Sequence, residues 1–140
     1  MSNSGKEHKI VSHMLNNDPF SQWMGVEIEE VEEGYCKISC TVNQEMLNGF
    51  SVTHGGIIFS LADSALAFAS ATFGRVSLAI DNSISFAKKS QSGDRLTAIS
   101  SCINLTHKTG IFDIKVINQN DELIAQMKAT VYRTGEEFDL

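Results

Sequence analysis

The spacing of hydrophobic and polar positions changes period several times along the chain, and each change marks an element. From His8 onward, Ile10, Met14 and Leu15 keep a helical spacing, which predicts a short amphipathic helix ended by "NNDPF" and its proline, Pro19. Between Val26 and Val42 the period falls to two. Val26 and Ile28 share a face; after Glu32-Glu33-Gly34, the residues Cys36, Ile38, Cys40 and Val42 alternate with Tyr35, Lys37, Ser39 and Thr41. That is a hairpin with one buried side. "EMLNGFSVT" has no period and reads as a loop. From Gly55 to about Thr72 the chain is apolar round most of a helical circumference, so a long helix buried on most sides is expected. Val76, Leu78, Ile80, Asn82, Ile84 and Phe86 then share one parity, a strand pattern interrupted by a single polar residue. Leu96 to Leu105, Ile111 to Ile117 and Leu123 to Tyr132 follow, joined by the turn sequences "THKTG" and "NQND", so four strands are expected as a meander.

Two strands, one dominant helix and four more strands make an α+β protein: an antiparallel sheet wrapped against a single long central helix. Met1 to Glu7 is polar and expected to be disordered or only partly helical, and "TGEEFDL" is acidic and expected to fray. The organisation read from the sequence is residues 1–19 as tail and short helix, 20–133 as one domain, and 134–140 as an acidic tail.

Composition narrows the function classes. The 140 residues suffice for one core, and 42% hydrophobic with 20% charged residues is ordinary for a globular protein. A net charge of −6 argues against a nucleic acid partner, since phosphate binding needs a basic surface. No apolar run approaches membrane-spanning length, so no membrane partner is expected. Cys36, Cys40 and Cys102 form no CxxC and cannot all pair; the first two read as small buried hydrophobes, and a reducing, cytoplasmic compartment fits. No metal-ligand cluster is expected, and no cofactor.

The candidate chemistry lies in "THGGIIFSLADSALAFAS", where one carboxylate, Asp63, interrupts an apolar run with no basic residue between His54 and Arg75. Asp63 either reaches solvent or a neighbouring hydroxyl, or it is a base or nucleophile held for use. "THGG" places backbone N–H groups at the positive end of a helix, a site for an anion or a developing oxyanion. Gly55 and Asp63 are eight residues apart, about 12 Å at helical rise. Both therefore cannot act on one carbonyl within a single chain. Two copies pairing their helices antiparallel would bring Gly55 of one to Asp63 of the other, and the strip Ser60, Ser64, Ala67, Ala71 allows close approach.

Asn48, "HGG" at His54 to Gly56 and "LAD" at Leu61 to Asp63 together resemble the hotdog-fold acyl-CoA thioesterases of the phenylacetate-degradation (PaaI-like) group, over most of the chain from about Phe20 to Arg133. The resemblance implies a hotdog fold, a homodimer with shared active sites and a homotetramer built from two dimers. It implies hydrolysis of an acyl-CoA, with Gly55 N–H as oxyanion donor, Asp63 of the partner subunit as nucleophile or general base, and Asn48 holding the thioester or the water. His54 and Gly56 would shape the substrate-binding loop, His54 chiefly as a structural residue. Phe59 and Leu66 would line an acyl pocket unless they are simply core, as would Phe68 and Phe73. Lys88 and Lys89 either bind coenzyme A phosphates or sit in a solvated turn, and the same holds for Lys108. Coenzyme A would be part of the substrate rather than a cofactor. The chain departs from the group at Ala79, where relatives carry a water-orienting hydroxyl two residues before an aspartate (here Asp81), leaving Ser64, Ser77 or Ser83 as candidates. It departs again at Lys89, where relatives often have proline. Other classes remain: a non-catalytic acyl-CoA binding or sensing protein, which would need no Asp63, and a hotdog dehydratase or hydratase, which would need a catalytic histidine beside a carboxylate.

Overall fold

A computed structural model describes residues 5–140. Of the polar leader expected at Met1 to Glu7, residues 1–4 lie outside the described residues, and Lys6 and Glu7 already belong to helix α1, Lys6–Asn16. Ile10 and Val11 of α1 are buried, and Met14 and Leu15 pack against the core, as the amphipathic spacing requires. "NNDPF" ends α1 but also begins a second helix, α2 (Pro19–Trp23). Asp18 caps it, accepting the Ser21 N–H at 2.9 Å, and Pro19 occupies the first turn, where its missing donor is no loss. The sequence pattern reads Asp18-Pro19 as a stop; it is equally a start.

Strands β1 (Glu27–Glu32) and β2 (Tyr35–Thr41) form the expected hairpin. Its turn needs Gly34, whose φ is 76° and where a Cβ would lie 2.9 Å from the Phe73 ring. The long helix, α3, spans Gly55–Ala71; β3 (Arg75–Phe86), β4 (Arg95–Leu105), β5 (Thr109–Ile117) and β6 (Leu123–Glu137) complete the chain. Thr134 to Glu137 do not fray: Arg75 pairs with Glu137, and Thr134 Oγ1 donates to the Val76 carbonyl at 2.7 Å.

The sheet is antiparallel throughout, in the order β1-β2-β4-β5-β6-β3, wrapped on α3. Only β4, β5 and β6 form a meander. β3 does not turn back onto β4; it pairs with β6 at the sheet edge, and the link at 87–94 carries the chain across to β2. Hydrogen bonds pin that link: Thr53 N–H to the Ser90 carbonyl at 2.8 Å, Gly93 N–H to the Val42 carbonyl at 2.8 Å, and Val42 N–H to the Asp94 carbonyl at 2.9 Å. A crossing link of this kind replaces the tight turn that a hairpin would need.

The single parity expected along β3 also breaks. The register with β6 shifts between Ala79 and Asp81, so Ile80 is an extra residue in a bulge. Leu78, opposite the exposed Tyr132, faces outward; Asn82, Ile84 and Phe86, opposite buried Ala129, Met127 and Ala125, face the helix. Leu78 and Ile80 are accordingly 57% and 61% exposed on an edge strand.

The core sits between the sheet and α3, where Leu61, Ala62, Ala65, Leu66, Phe68 and Ala69 are fully buried. Burial of each Leu or Phe there is worth about 1.5–3 kcal/mol. One stripe of α3 escapes: Ser60, Asp63, Ser64 and Ala67 are only partly buried. The carboxylate therefore lies on the single face of the helix that the core does not claim.

Candidate active site

The helix entrance is built by His54, which precedes α3 in an extended conformation and caps it. Its Nδ1 accepts the Gly56 N–H at 2.8 Å, and its carbonyl accepts the Ile57 N–H at 2.9 Å. For Nδ1 to accept, the neutral ring carries its proton on Nε2. These bonds consume the donors around Gly55, while the Gly55 N–H meets no acceptor among the described residues. Gly55 opens onto a cleft of about 300 Å³ with Thr53, Ile58, Phe86, Ala87, Lys88 and Lys89. A Cβ on Gly55 would lie 3.4 Å from the Phe86 ring, so a side chain there would fill the space between the helix start and that ring. A helix N-terminus with one unspent donor and two lysines nearby suits a carbonyl oxygen that becomes negative.

Asp63 lies elsewhere. Its Oδ1 accepts from Asn82 Nδ2 at 3.0 Å, and it lines a cavity of about 220 Å³ with Asp18, Phe20, Ser21, Ser60, Ser64 and Ala67. A hydroxyl chain ties this cavity to α2. Ser21 Oγ gives its proton to Asp18 Oδ2 at 2.6 Å, so Ser64 must be the donor in the 2.8 Å contact between Ser64 and Ser21. The small-residue strip of α3 thus receives α2 of its own chain at Ser64. No residue lines both the Gly55 cleft and the Asp63 cavity. The separation expected from helical rise is realised: both groups lie on one continuous helix and face different spaces.

The other candidates fall in three places. Asn48 organises its own loop, its Oδ1 accepting the Phe50 N–H at 2.9 Å and the Val52 N–H at 3.4 Å, which leaves its NH₂ group to meet a ligand. That loop carries Ser51 at φ 61° and Phe50 89% exposed. Gly56 is closed over by the His54 ring, 3.0 Å from a Cβ placed there, so its role is at the cap. Leu66 is fully buried in the core and lines neither cavity, whereas Phe59 is partly buried and packs against the core. Lys88 and Lys89 stand at the Gly55 cleft and at a polar cavity of about 310 Å³ with Ser90, Asp94, Asn118 and Gln119. Lys88 is paired on the surface with Glu122, whose carboxyl is held below its usual range by the Asn118 amide and by Lys88. Lys89 has no ion pair among the described residues.

Comparison with known proteins decides what this arrangement belongs to. The sequence model of the Thioesterase superfamily matches residues 50–125, more than half of the chain and the span that holds both Gly55 and Asp63. The chain is 34% identical over 122 residues to the acyl-coenzyme A thioesterase PaaI of Escherichia coli, covering 87% of each. This chain belongs to the thioesterase superfamily. The solved structure of the PaaI protein from the E. coli phenylacetic acid degradation operon superposes with a TM-score of 0.94 at 33% identity, over 99% of this chain and 100% of that one. A "Putative esterase" of Archaeoglobus fulgidus is 42% identical over 130 residues, 93% of this chain and 84% of that protein. A Streptococcus mutans protein solved bound to acetyl CoA superposes with a TM-score of 0.78 at 26% identity, over 81% of this chain and 91% of that one. The fold is the hotdog fold, and this thioesterase is a hydrolase of thioesters resembling the PaaI group.

In this thioesterase the hydroxyls proposed from sequence to orient water do not reach Asp63. Ser64 is committed to Ser21, Ser77 Oγ contacts the Arg75 carbonyl at 3.5 Å, and Ser83 is exposed opposite Lys128. The side chain that does reach it, Asn82, was the lone polar member of the strand pattern. Cys36 and Cys40 are free and buried, as their alternation suggests, and burial pushes their thiols up to about 12 and about 11. Such thiols are not nucleophiles at neutral pH.

Proposed function

We propose that this thioesterase hydrolyses the thioester of an aromatic or medium-chain acyl-CoA to the free acid and coenzyme A, at sites shared between two copies of the chain. The carbonyl oxygen lies against the Gly55 N–H, which takes the charge that develops as the carbonyl carbon becomes tetrahedral. Asp63 of the second copy supplies either the base that takes a proton from water or the nucleophile itself. In the first route the water oxygen bonds to the carbonyl carbon, its proton goes to Asp63, and the carbon–sulfur bond breaks. Coenzyme A leaves as a thiolate, a leaving group that needs no acid. Coenzyme A is part of the substrate, and the reaction uses no other cofactor.

The observation that carries this reading is the division of labour along α3. The one unspent N–H at the helix start and the carboxylate on its uncovered face open into separate spaces. Along a straight helix they are about 12 Å apart, so a second copy completes the site. The edge strand β3 offers that copy a place: 12 residues, paired only to β6, with Leu78 and Ile80 outward. Edge-to-edge pairing there would join two sheets into one and cover apolar surface. Two such dimers would make the homotetramer that the PaaI resemblance implies. Lys89, and Lys88 if it leaves Glu122, would meet coenzyme A phosphates at the cleft mouth. The relative from a phenylacetic acid degradation operon favours an aromatic acyl group, and free cysteines fit a cytoplasmic setting.

A panel of phenylacetyl-, benzoyl-, acetyl-, octanoyl- and palmitoyl-CoA, read by thiol release, tests the proposal. Turnover of aromatic or medium-chain substrates by the wild type and its loss in Asp63→Ala support it. Undiminished turnover in Asp63→Ala would sink the assignment of Asp63, and preference for palmitoyl-CoA would sink the substrate class.

A further inference from the structure

Past the bulge at Ile80, β3 turns Asn82, Ile84 and Phe86 toward the helix, and Asn82 alone of these is polar. Its Nδ2 donates to Asp63 Oδ1 at 3.0 Å, while its own Oδ1 is buried and meets no donor among the described residues. An amide that spends its donor and strands its acceptor is a poor choice for stability. A stranded buried acceptor costs about as much as a bond to a carboxylate returns, so the two nearly cancel. Asn82 therefore gains the fold little, although among the described residues it is the side chain that hydrogen-bonds the candidate catalytic carboxylate.

The contact has two consequences for Asp63. It fixes the rotation of the carboxylate by holding Oδ1, so that Oδ2, which has no partner among the described residues, is the oxygen left to work. It also ties the carboxylate on α3 to strand β3, so that its position depends on both elements. Asp18, the cap of α2, is the other ionisable group lining the cavity. From β3, Asp81 lies exposed outside the bulge, and α3 itself contributes only serines and apolar groups beside Asp63.

Resting on the reading of Asp63 as base or nucleophile, we propose that Asn82 is the positioning residue of the reaction, holding Oδ1 of Asp63 through its amide so that Oδ2 is aimed at the reacting atoms. The test uses the full chain with Asn82→Leu, Asn82→Asp and Asp63→Asn, assayed on the best substrate of the acyl-CoA panel across pH, with thermal melting in parallel. For Asn82→Leu the melting temperature stays within a few degrees of wild type, kcat falls by about 10- to 100-fold through misalignment, and KM changes little. Asn82→Asp keeps the size of the side chain but puts a like charge where the donor stood, so it lowers kcat in the same way and answers the question should Asn82→Leu fail to fold. Wild-type kcat in these variants overturns the proposal. A fall in melting temperature with unaltered kinetics overturns it too, by making Asn82 merely structural. Wild-type turnover in Asp63→Asn would instead mean that the underlying reading of Asp63 has failed.

Discussion

His54 separates a structural role from a catalytic one with unusual clarity. Its Nδ1 accepts the Gly56 N–H at 2.8 Å and fixes the first turn of α3, so His54→Ala removes a helix cap. Loss of such a cap costs about 0.5–2 kcal/mol. For a chain of 140 residues, unfolding entropy converts about 1 kcal/mol into about 3 °C of melting temperature. The expected drop is therefore about 2–7 °C. His54→Asn supplies a carboxamide oxygen in an equivalent capping position and should recover most of it. Activity should follow the cap: His54→Ala lowers kcat by no more than about tenfold through a loosened Gly55 N–H, and His54→Asn stays near wild type. Thermal melts and kcat/KM between pH 5 and 9 are the assay. A fall of about a hundredfold or more in both variants, with an unchanged melting temperature, would refute the structural assignment and make His54 an acid or base.

Two further outcomes follow from groups already described. Lys89→Glu should raise KM for acyl-CoA by about three- to tenfold with kcat nearly unchanged, and the effect should shrink in high salt, because Lys89 is an exposed unpaired cation at the Gly55 cleft; a kcat effect without a KM effect would contradict it. The buried Cys36 thiol has its pKa raised from 9.0 to about 12, so its contribution to stability is complete below about pH 9 and is lost as pH rises toward 12. The loss should run at about 1.4 kcal/mol per pH unit over that window. Urea melts at pH 8 and 10.5 check this, and Cys36→Ala should reduce the alkaline slope by about 1.4 kcal/mol per pH unit while the part due to Cys40, raised to about 11, remains.

What the sequence disclosed and what it hid divide along physical lines. The long helix, the β1–β2 hairpin and the turns between β4, β5 and β6 depend on local periodicity and turn chemistry, and each formed where the pattern placed it. The exit of β3 did not, because alternation fixes which residues share a face only while the register holds. A single bulged residue, Ile80, reverses the faces, and nothing local marks it. The meander failed for a related reason: the residues at 87–94 can turn or cross, and the choice lies in distant bonds to Thr53 and Val42. Within the site, the free Gly55 N–H and the uncovered Asp63 were legible from helical spacing. Asn82 was visible only as an interruption, since its partner lies 19 residues away on another element. The Lys88–Glu122 pair, 34 residues apart, was hidden in the same way.

The central claim is that one working site takes its oxyanion donor from one copy and its carboxylate from another. Mixing two inactive proteins tests it most directly: Asp63→Ala, which keeps Gly55, and a variant disabled at Asn48, which keeps Asp63. After subunit exchange, mixed dimers hold one site built wholly from intact halves. Equal mixing places about half of all dimers in that state, so thiol release should return to about a quarter of the wild-type rate per chain. Mixtures that stay as inactive as their parents, under conditions where exchange is verified by native mass spectrometry, would mean that each chain carries its own complete site.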